Sequence, residues 1–474
     1  MCLKPPLRPL AHPLPTPGRN INERTLMIPR RLALPLLLAA AACLGPTLVE
    51  AQESAPPLTP QTRRDTLNAI DRLLRDRYVL PEVAERMGQH LSRRAAEGAY
   101  DAISDPARFA STLTSDLQEI SRDRHLRVRF SERPLDRSRN AGEPPESERE
   151  AFRDVQRREN AGFTKAEILP GNVGYLSLRY FGISDVAGPA IAGALQFLAG
   201  TDAFILDLRD NGGAIDPGSI AILCSYFMPP GRTHLNSLHW REGDRVEQSW
   251  SLPLLPGPRY LDKPLFVLTS RRTFSGAEEC AYNLQTRKRA TLVGETTGGG
   301  ANPGWEIPAT DHFAVWVPQG RAVNPVTGDN WEGRGVRPEI EVPASRALLT
   351  AHGMALEQLV PKYGADPGWQ NLLNRERDKL QARLKIQPVN TPFRLAGHTQ
   401  ASRVSLVGPF NGWTPGVHEL QRTQDGWALE LPLDPGSHPY KFWVDGEWLL
   451  DPANPDTEAD GPHTNSVRIV PARS

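Results

Sequence analysis

The sequence predicts an α/β core, preceded by a helical subdomain and followed by a small β-sandwich. Three observations carry that prediction. Between positions 174 and 345, buried strand-like runs alternate with helix-like runs, as when helices cover a sheet. Ahead of them, residues 60–122 repeat apolar residues at helical spacing. From about Asn390 onward, short alternating runs are separated by Gly, Pro, Asn and Asp, the texture of a sandwich.

Taken in order, Leu67, Ile70, Leu73 and Leu74 mark a first helix that Leu80-Pro81 interrupts. A second helix runs from Glu82 to about Ala96. A third starts after Asp105-Pro106, where Asp is a good N-cap and Pro a good first helical residue. Leu126 to Phe130 alternates with period two and reads as a strand. Residues 131–158 are mixed in charge, with Pro and almost no apolar residues. They are expected to form an exposed linker or mobile loop. The core follows: strand 174–178, helix 187–198, strand 203–206, helices 217–228 and 276–287, and strands 265–269, 291–293 and 312–317. It ends near Val342 and is closed by helices at about 345–360 and 367–384. The sandwich strands are placed at Val404–Val407, Trp427–Leu431, His438–Val444 and Ser466–Val470. No repeat at solenoid period is visible. The expected divisions are 1–51, 60–130, 131–160, 161–345, 346–389 and 390–474.

A length of 474 residues suits two to three domains, and a net charge of zero gives no reason to expect nucleic acid or an anionic membrane as partner. From Met27 the chain reads Ile-Pro-Arg-Arg, then an apolar run to Leu44, then Val49-Glu50-Ala51. That is a basic start, an apolar stretch too short to span a bilayer, and a small-x-small cleavage site. It implies export to a periplasmic or extracellular location, no integral span after cleavage, and Met27 as the start; lipid attachment at Cys43 is the rival. Two cysteines then remain, Cys224 and Cys280, both in apolar helix-like runs and expected as buried thiols, with a bridge between them the alternative. No Cys/His cluster has zinc spacing. Neither a metal nor an organic cofactor is expected.

The chemistry centres on Thr273-Phe274-Ser275-Gly276-Ala277-Glu278-Glu279. A strand-like run leads into this turn and a helix-like run leads out. Such an elbow presents a hydroxyl at a cleft mouth and aims the helix's first N–H groups at whatever that hydroxyl attacks. Ser275 is the candidate nucleophile. Ser275 with Glu278 three residues on is equally a capping box, so Glu278 either buttresses the serine or caps the helix. A second signal is Leu206 to Gly213, where a strand ends in Asn211-Gly212-Gly213 and the glycines let backbone N–H groups approach a ligand. A third is Gly294-Glu295-Thr296-Thr297-Gly298-Gly299-Gly300, which lacks the Lys-Ser/Thr ending of a phosphate loop and reads as a cleft wall.

The segments "DLRDNGG", "TFSGAEE", "RATLVGETTGGG" and "GVRPEIEV", in that order, resemble the C-terminal processing (tail-specific) serine peptidases, tricorn protease and the modules of interphotoreceptor retinoid-binding protein. The resemblance covers about residues 60–345. It implies a ClpP/crotonase-like core, Ser275 as nucleophile, and oxyanion donors at Gly276 and at Gly212 or Gly213. Tail-specific peptidases pair serine with a lysine about twenty-five residues on; here that position is Gly300, and the dyad is absent. The interval 131–170 is also too short and polar for a PDZ domain. Both departures point to the tricorn and retinoid-binding branch, which implies His125 as base and Glu332, just before Gly335-Val336-Arg337-Pro338, as the orienting carboxylate. An imidazole titrating near 6.5 can take a hydroxyl proton and return it to a leaving group.

At the C-terminus, "LVGPFNGWTP", "HPYKFWVDGEWLLDP" and "HTNSVRIV" resemble the glycogen-binding domain of the AMP-activated kinase β subunit, a family-48-type carbohydrate-binding module with an immunoglobulin-like sandwich. The resemblance implies Trp413, Lys441, Trp448 and Asn465 as sugar contacts, because sugar rings pack C–H faces on indole. Trp427 and Trp443 are expected in the sandwich core. The resulting expectation is an exported serine peptidase acting on peptide or protein, tethered to α-glucan or another polysaccharide. The alternative is a non-catalytic binding module for apolar ligands or peptides.

Overall fold

Proline and aspartate set the starts of the early helices. The computed structural model describes residues 58–136, 146–411, 413, 415–460 and 463–471; the leader expected through Ala51, Cys43 included, lies outside the described residues. Helices α1 (Pro60–Arg77), α2 (Pro81–Ala96) and α3 (Pro106–Ser121) each open on a proline, whose missing N–H costs nothing there. Asp105 caps α3 by accepting from the amides of Ala107 and Arg108. After strand β1 (Arg127–Phe130) comes α4 (Glu146–Arg158), inside the stretch expected to be a linker. That expectation is corrected. Almost bare of apolar residues, α4 is held by ion pairs along its length, Arg153 with Glu146 and Glu150 and Arg157 with Glu150 and Asp154, as solvent-exposed helices can be.

The core then runs β2 (Phe163–Leu169), β3 (Val173–Leu178), α5 (Ser184–Leu198), β4 (Ala203–Asp207), α6 (Pro217–Ser225), β5 (His234–Trp240), β6 (Arg245–Trp250), β7 (Leu265–Thr269), α7 (Gly276–Thr286), β8 (Thr291–Gly294), β9 (Gly304–Pro308), β10 (Phe313–Pro318), β11 (Gly320–Val323), β12 (Ile340–Glu341), α8 (Ala344–Leu359) and α9 (Pro367–Lys385). Its main sheet has the order β12-β8-β7-β4-β3-β2. All neighbours are parallel except β2, which pairs antiparallel with β3 at one edge. Every residue of β4 and β7 is buried, because both faces of the sheet are covered. One face packs Leu206, Val267 and Leu292 against α5, α6 and α7. The other packs Ile205, Phe266 and Leu268 against α8 and α9. A small sheet, β1-β10-β9, joins the helical subdomain to the core, with Phe109, Leu113 and Phe313 in the shared apolar cluster.

The loops at the C-terminal ends of β4, β7 and β8 therefore emerge side by side, the place where parallel sheets hold ligands. Cys224 on α6 and Cys280 on α7 are buried and unbridged, their sulfurs 3.7 Å apart. The C-terminal unit comprises β13 (Val389–Ala396), β14 (Val404–Val407), β15 (Gln421–Arg422), β16 (Gly426–Leu433), β17 (Gly436–Val444), β18 (Glu447–Leu449), β19 (Thr457–Asp460) and β20 (His463–Val470). They form two sheets, β13-β16-β15 and β14-β17-β20-β19, with β18 on β17. Phe393, Leu406, Trp427, Tyr440 and Phe442 fill the space between. Trp443 is only partly buried, which corrects its expected core placement; it lies opposite Trp448 in the ladder. Among the described residues, no helix is long and apolar enough to cross a membrane.

Candidate active site

Ser275 is the N-cap of α7 and has φ 53° and ψ −121°. A side-chain-bearing residue in that conformation carries strain of about 1–3 kcal/mol, and such strain persists only where surroundings impose it. Here they do. Thr273 Oγ1 donates to the Leu208 carbonyl at 2.7 Å and accepts from the Ser270 amide. Ser270 Oγ donates to the Arg209 carbonyl, and the Phe274 amide to that of Asn211. The loop after β7 is thus bolted to the loop after β4.

Glu278 holds the other side. Its fully buried carboxylate accepts from the amides of Ser275 (2.8 Å), Gly299 (2.7 Å) and Gly300 (2.8 Å) and from Thr297 Oγ1 (2.5 Å). One side chain ties the nucleophile turn to the glycine loop after β8. Burial lifts its pKa to about 7 against the pull of those donors.

The expected oxyanion donors need correction. The Gly212 N–H donates to the Arg179 carbonyl and the Gly213 N–H to Asn211 Oδ1, both at 3.0 Å. Neither points free into a cleft. Gly276 keeps its N–H without a hydrogen-bond acceptor among the described residues, and so does Ala214. The two backbones are adjacent: a β-carbon on Gly276 would lie 3.0 Å from Ala214 N and 2.5 Å from Ala214 Cβ. Ala214 escaped the sequence reading because nothing in its side chain marks it. Gly213 is glycine for closeness too, since a β-carbon there would lie 3.0 Å from Ser275 Cβ.

His125 precedes β1, 150 residues before the serine in the chain, yet its ring lies against that of Phe274 with centroids 4.6 Å apart. Its side chain is only 11% exposed. Burial, then Arg127 and Arg124, push its pKa down to about 4, so it is neutral at pH 7. A β-carbon on Gly300 would lie 2.3 Å from Phe274 Cζ and 2.7 Å from His125 Cε1. The space a side chain at 300 would need is filled by those two rings.

Glu332 reaches the same pocket from the loop before β12. Its Oε2 accepts from the Ala301 amide at 2.5 Å, while its buried Oε1 has no partner. The neighbouring Trp331 indole donates to the Gly300 carbonyl at 2.7 Å. Asp123, which the sequence reading passed over, completes the group. It is fully buried and accepts from the His125 amide (3.0 Å), Asn302 Nδ2 (3.0 Å) and the Tyr78 hydroxyl (3.2 Å). Its Oδ1 lies 3.9 Å from His125 Nδ1, a buried atom without a hydrogen-bond partner. One donor atom from each of Asp123, His125 and Glu332 falls within 4.8 Å of the others. These three, and His90, Asp116 and Glu119, are the described side chains spaced so that they could hold an ion.

In the C-terminal unit, Trp413, Lys441, Trp448 and Asn465, with Asp460 and His463, line one cavity of about 460 Å³. The Trp413 and Trp448 rings are 6.5 Å apart, and Trp448 is half exposed.

Residues 172–342 match peptidase family S41, and residues 59–160 match the N-terminal domain of that family in eukaryotic IRBP. Residues 391–473 match the glycogen recognition site of AMP-activated protein kinase. A carboxyl-terminal-processing protease of Synechocystis sp. is 37% identical over 133 residues, 27% of this chain and 29% of that protein. The AMP-activated protein kinase subunit beta-1 of Rattus norvegicus is 39% identical over 100 residues, 21% of this chain and 33% of that one. The chain thus spans about a third or less of these relatives. Among solved structures, the photosystem II D1 C-terminal processing protease covers 60% of this chain and is itself 94% covered, at TM-score 0.37 and 17% identity. A lipoprotein from Streptococcus agalactiae covers 63% and is 98% covered, at TM-score 0.41 and 14% identity.

Proposed function

We propose that this chain, related through residues 59–342 to the S41 serine peptidases, is an exported peptidase with Ser275 as nucleophile and His125 as base. One observation carries the reading. A strained serine at a helix N-terminus sits beside two unengaged N–H groups, with a buried neutral imidazole packed on the preceding residue.

The Ser275 hydroxyl attacks the carbonyl carbon of a peptide bond. His125 takes the hydroxyl proton and returns it to the departing amine, and a water then repeats the sequence to release the acyl group. The N–H groups of Gly276 and Ala214 face the negative oxygen that develops, in place of Gly212 and Gly213. The carboxyl groups of Asp123 and Glu332 stand beside the ring, Asp123 on its Nδ1 side, where they favour its orientation. Glu278 keeps the turn and the glycine loop in register. Because His125 stays neutral down to about pH 4, the base form is present across the neutral range.

The divisions at 60–130, 161–345 and 390–474 are assigned to a helical subdomain, a ClpP/crotonase-like core and an immunoglobulin-like sandwich. The sandwich is the tether: Trp413 and Trp448 offer ring faces to an α-glucan, with Lys441 and Asn465 for its hydroxyls. Export rests on the leader pattern ending at Ala51.

A fluorophosphonate probe tests the enzyme reading. Stoichiometric labelling at Ser275, abolished in Ser275→Ala, is the expected result. A folded protein that takes no label would leave the binding-module alternative in its place.

A further inference from the structure

Two carboxyl groups stand beside the His125 ring: Asp123, fully buried with Oδ1 3.9 Å from Nδ1, and Glu332, largely buried, with an oxygen within 4.8 Å of the same group. Two buried carboxylates this close cannot both carry charge at low cost, so one keeps a proton over a wide range. The hydrogen bonds around each decide which. Asp123 accepts three: from the His125 amide, from Asn302 Nδ2 and from the Tyr78 hydroxyl. Tyr78 is itself buried beside these carboxyls, which holds its phenol protonated and therefore always a donor. Glu332 accepts from the Ala301 amide through Oε2, with the Asn302 amide a weaker influence toward its charged form; no hydrogen-bond partner lies at its Oε1. A lone oxygen in a buried carboxyl is where a proton belongs.

We propose that Asp123 is the anionic carboxylate that positions His125, and that Glu332 is its neutral, proton-bearing partner. This rests on the hydrolase reading and assigns the carboxyl roles within it. Asp123 is a positioning residue: it acts on the reaction only through the imidazole. The other charged groups facing the pair are few. Arg124 and Arg127 lie on the histidine side, and Glu278 bears on Glu332 from the turn. Burial, and then the charge of Asp123, raises Glu332 above an ordinary carboxyl. Burial raises Asp123 as well, against the pull of its hydrogen bonds from Asn302, His125 and Tyr78, so it is the larger set of donors on Asp123 that singles it out to keep the charge.

Glutamine imitates a protonated glutamate, and asparagine removes the charge of an aspartate without changing its shape. The full chain is therefore compared as wild type, Asp123→Asn and Glu332→Gln, by second-order rate of fluorophosphonate labelling and by melting temperature from pH 4 to 9. Asp123→Asn is expected to lower the labelling rate at pH 7 by about a hundredfold or more, as when a triad carboxylate becomes an amide. Glu332→Gln is expected to lower it less than about tenfold. The melting curves give a readout that does not need the reaction. A carboxyl raised on folding contributes stability below its unfolded value and loses it as pH rises through its folded value. Wild type should therefore lose melting temperature on the alkaline side relative to Glu332→Gln, which lacks that proton to lose. A hundredfold loss in Glu332→Gln, with Asp123→Asn less affected, would overturn the assignment. So would parallel melting curves for Glu332→Gln and wild type. Absent labelling of the folded wild type would instead remove the hydrolase reading, and the melting comparison alone would decide the carboxyl roles.

Discussion

The core and the C-terminal sandwich each gather side chains from distant positions, but they treat them in opposite ways. The core takes Tyr78, Asp123 and Glu278 out of water, largely shields His125 and Glu332, and holds them with backbone amides and one another. The sandwich leaves Trp413, Trp448 and Lys441 on an open cavity and commits few of them to internal bonds. Burial changes protonation, so the core's groups acquire shifted pKa values. Exposure leaves ring faces and hydrogen-bonding ends free, which suits a ligand bound without being changed. Damage to the core should therefore couple stability, pH response and chemistry, whereas damage to the sandwich cavity should be confined to binding.

The sharpest way to break that contrast is Gly300→Ala. Its methyl group would meet Phe274 and His125 together, and the rings must shift. We expect a fall in labelling rate of about a hundredfold or more, together with about 1–3 kcal/mol of lost stability by denaturant titration. An alanine variant that labels normally would mean the histidine ring is not held where the contrast requires. Next is Glu279→Gln. Glu279 is buried with Oε1 unpartnered, and burial lifts its pKa to about 7 from an ordinary 4.5. The folded state therefore prefers the protonated form. The stability it contributes is full below pH 4.5 and is lost as pH rises toward 7. The glutamine variant should gain on wild type across that window, by on the order of 3 kcal/mol at pH 8, and match it near pH 4. His125 works in the other direction: its depressed pKa means stability is lost as pH falls from about 6.5 to about 4, so a Glu279→Gln protein should keep the acid loss while losing less than wild type on the alkaline side, where Glu278 and Glu332 still contribute. The smallest expected effect is on the sandwich. Trp448→Ala should weaken retention on an α-glucan column by roughly tenfold, about 1.4 kcal/mol, and shift melting by no more than a degree or two. A large melting shift would show that this ring belongs to the packing after all.

The parts legible in the sequence were those with local causes. Asp105-Pro106 marks a helix start because cap and first residue are neighbours in the chain. The Ser275 turn stands out because strand, small residues and helix follow directly. The α4 helix escaped because its stabilisation lies in pairs such as Glu150 with Arg153 and Arg157, which a count of apolar residues does not register. At the site, His125 and Glu332 came only through resemblance. Asp123 was in plain view two residues from His125, but what distinguishes it is the tyrosine 45 residues before it and the asparagine 179 residues after it. The Gly212 and Gly213 amides looked free because their acceptors, the Arg179 carbonyl and the Asn211 side chain, depend on how the loop closes. The missing lysine of the Ser–Lys arrangement also gains a reason: at Gly300 the histidine ring occupies the room a longer side chain would need.

The backbone at Ser275 has a final consequence. Its dihedral angles suit glycine far better than serine, so the chain keeps a hydroxyl where relaxation would favour having no side chain. Ser275→Gly should therefore yield an inert protein that resists heat better than its parent, the relief of about 1–3 kcal/mol outweighing the roughly 0.5–1 kcal/mol that glycine loses through a freer unfolded chain. Durability and a hydroxyl at this turn are thus set against each other at a single residue.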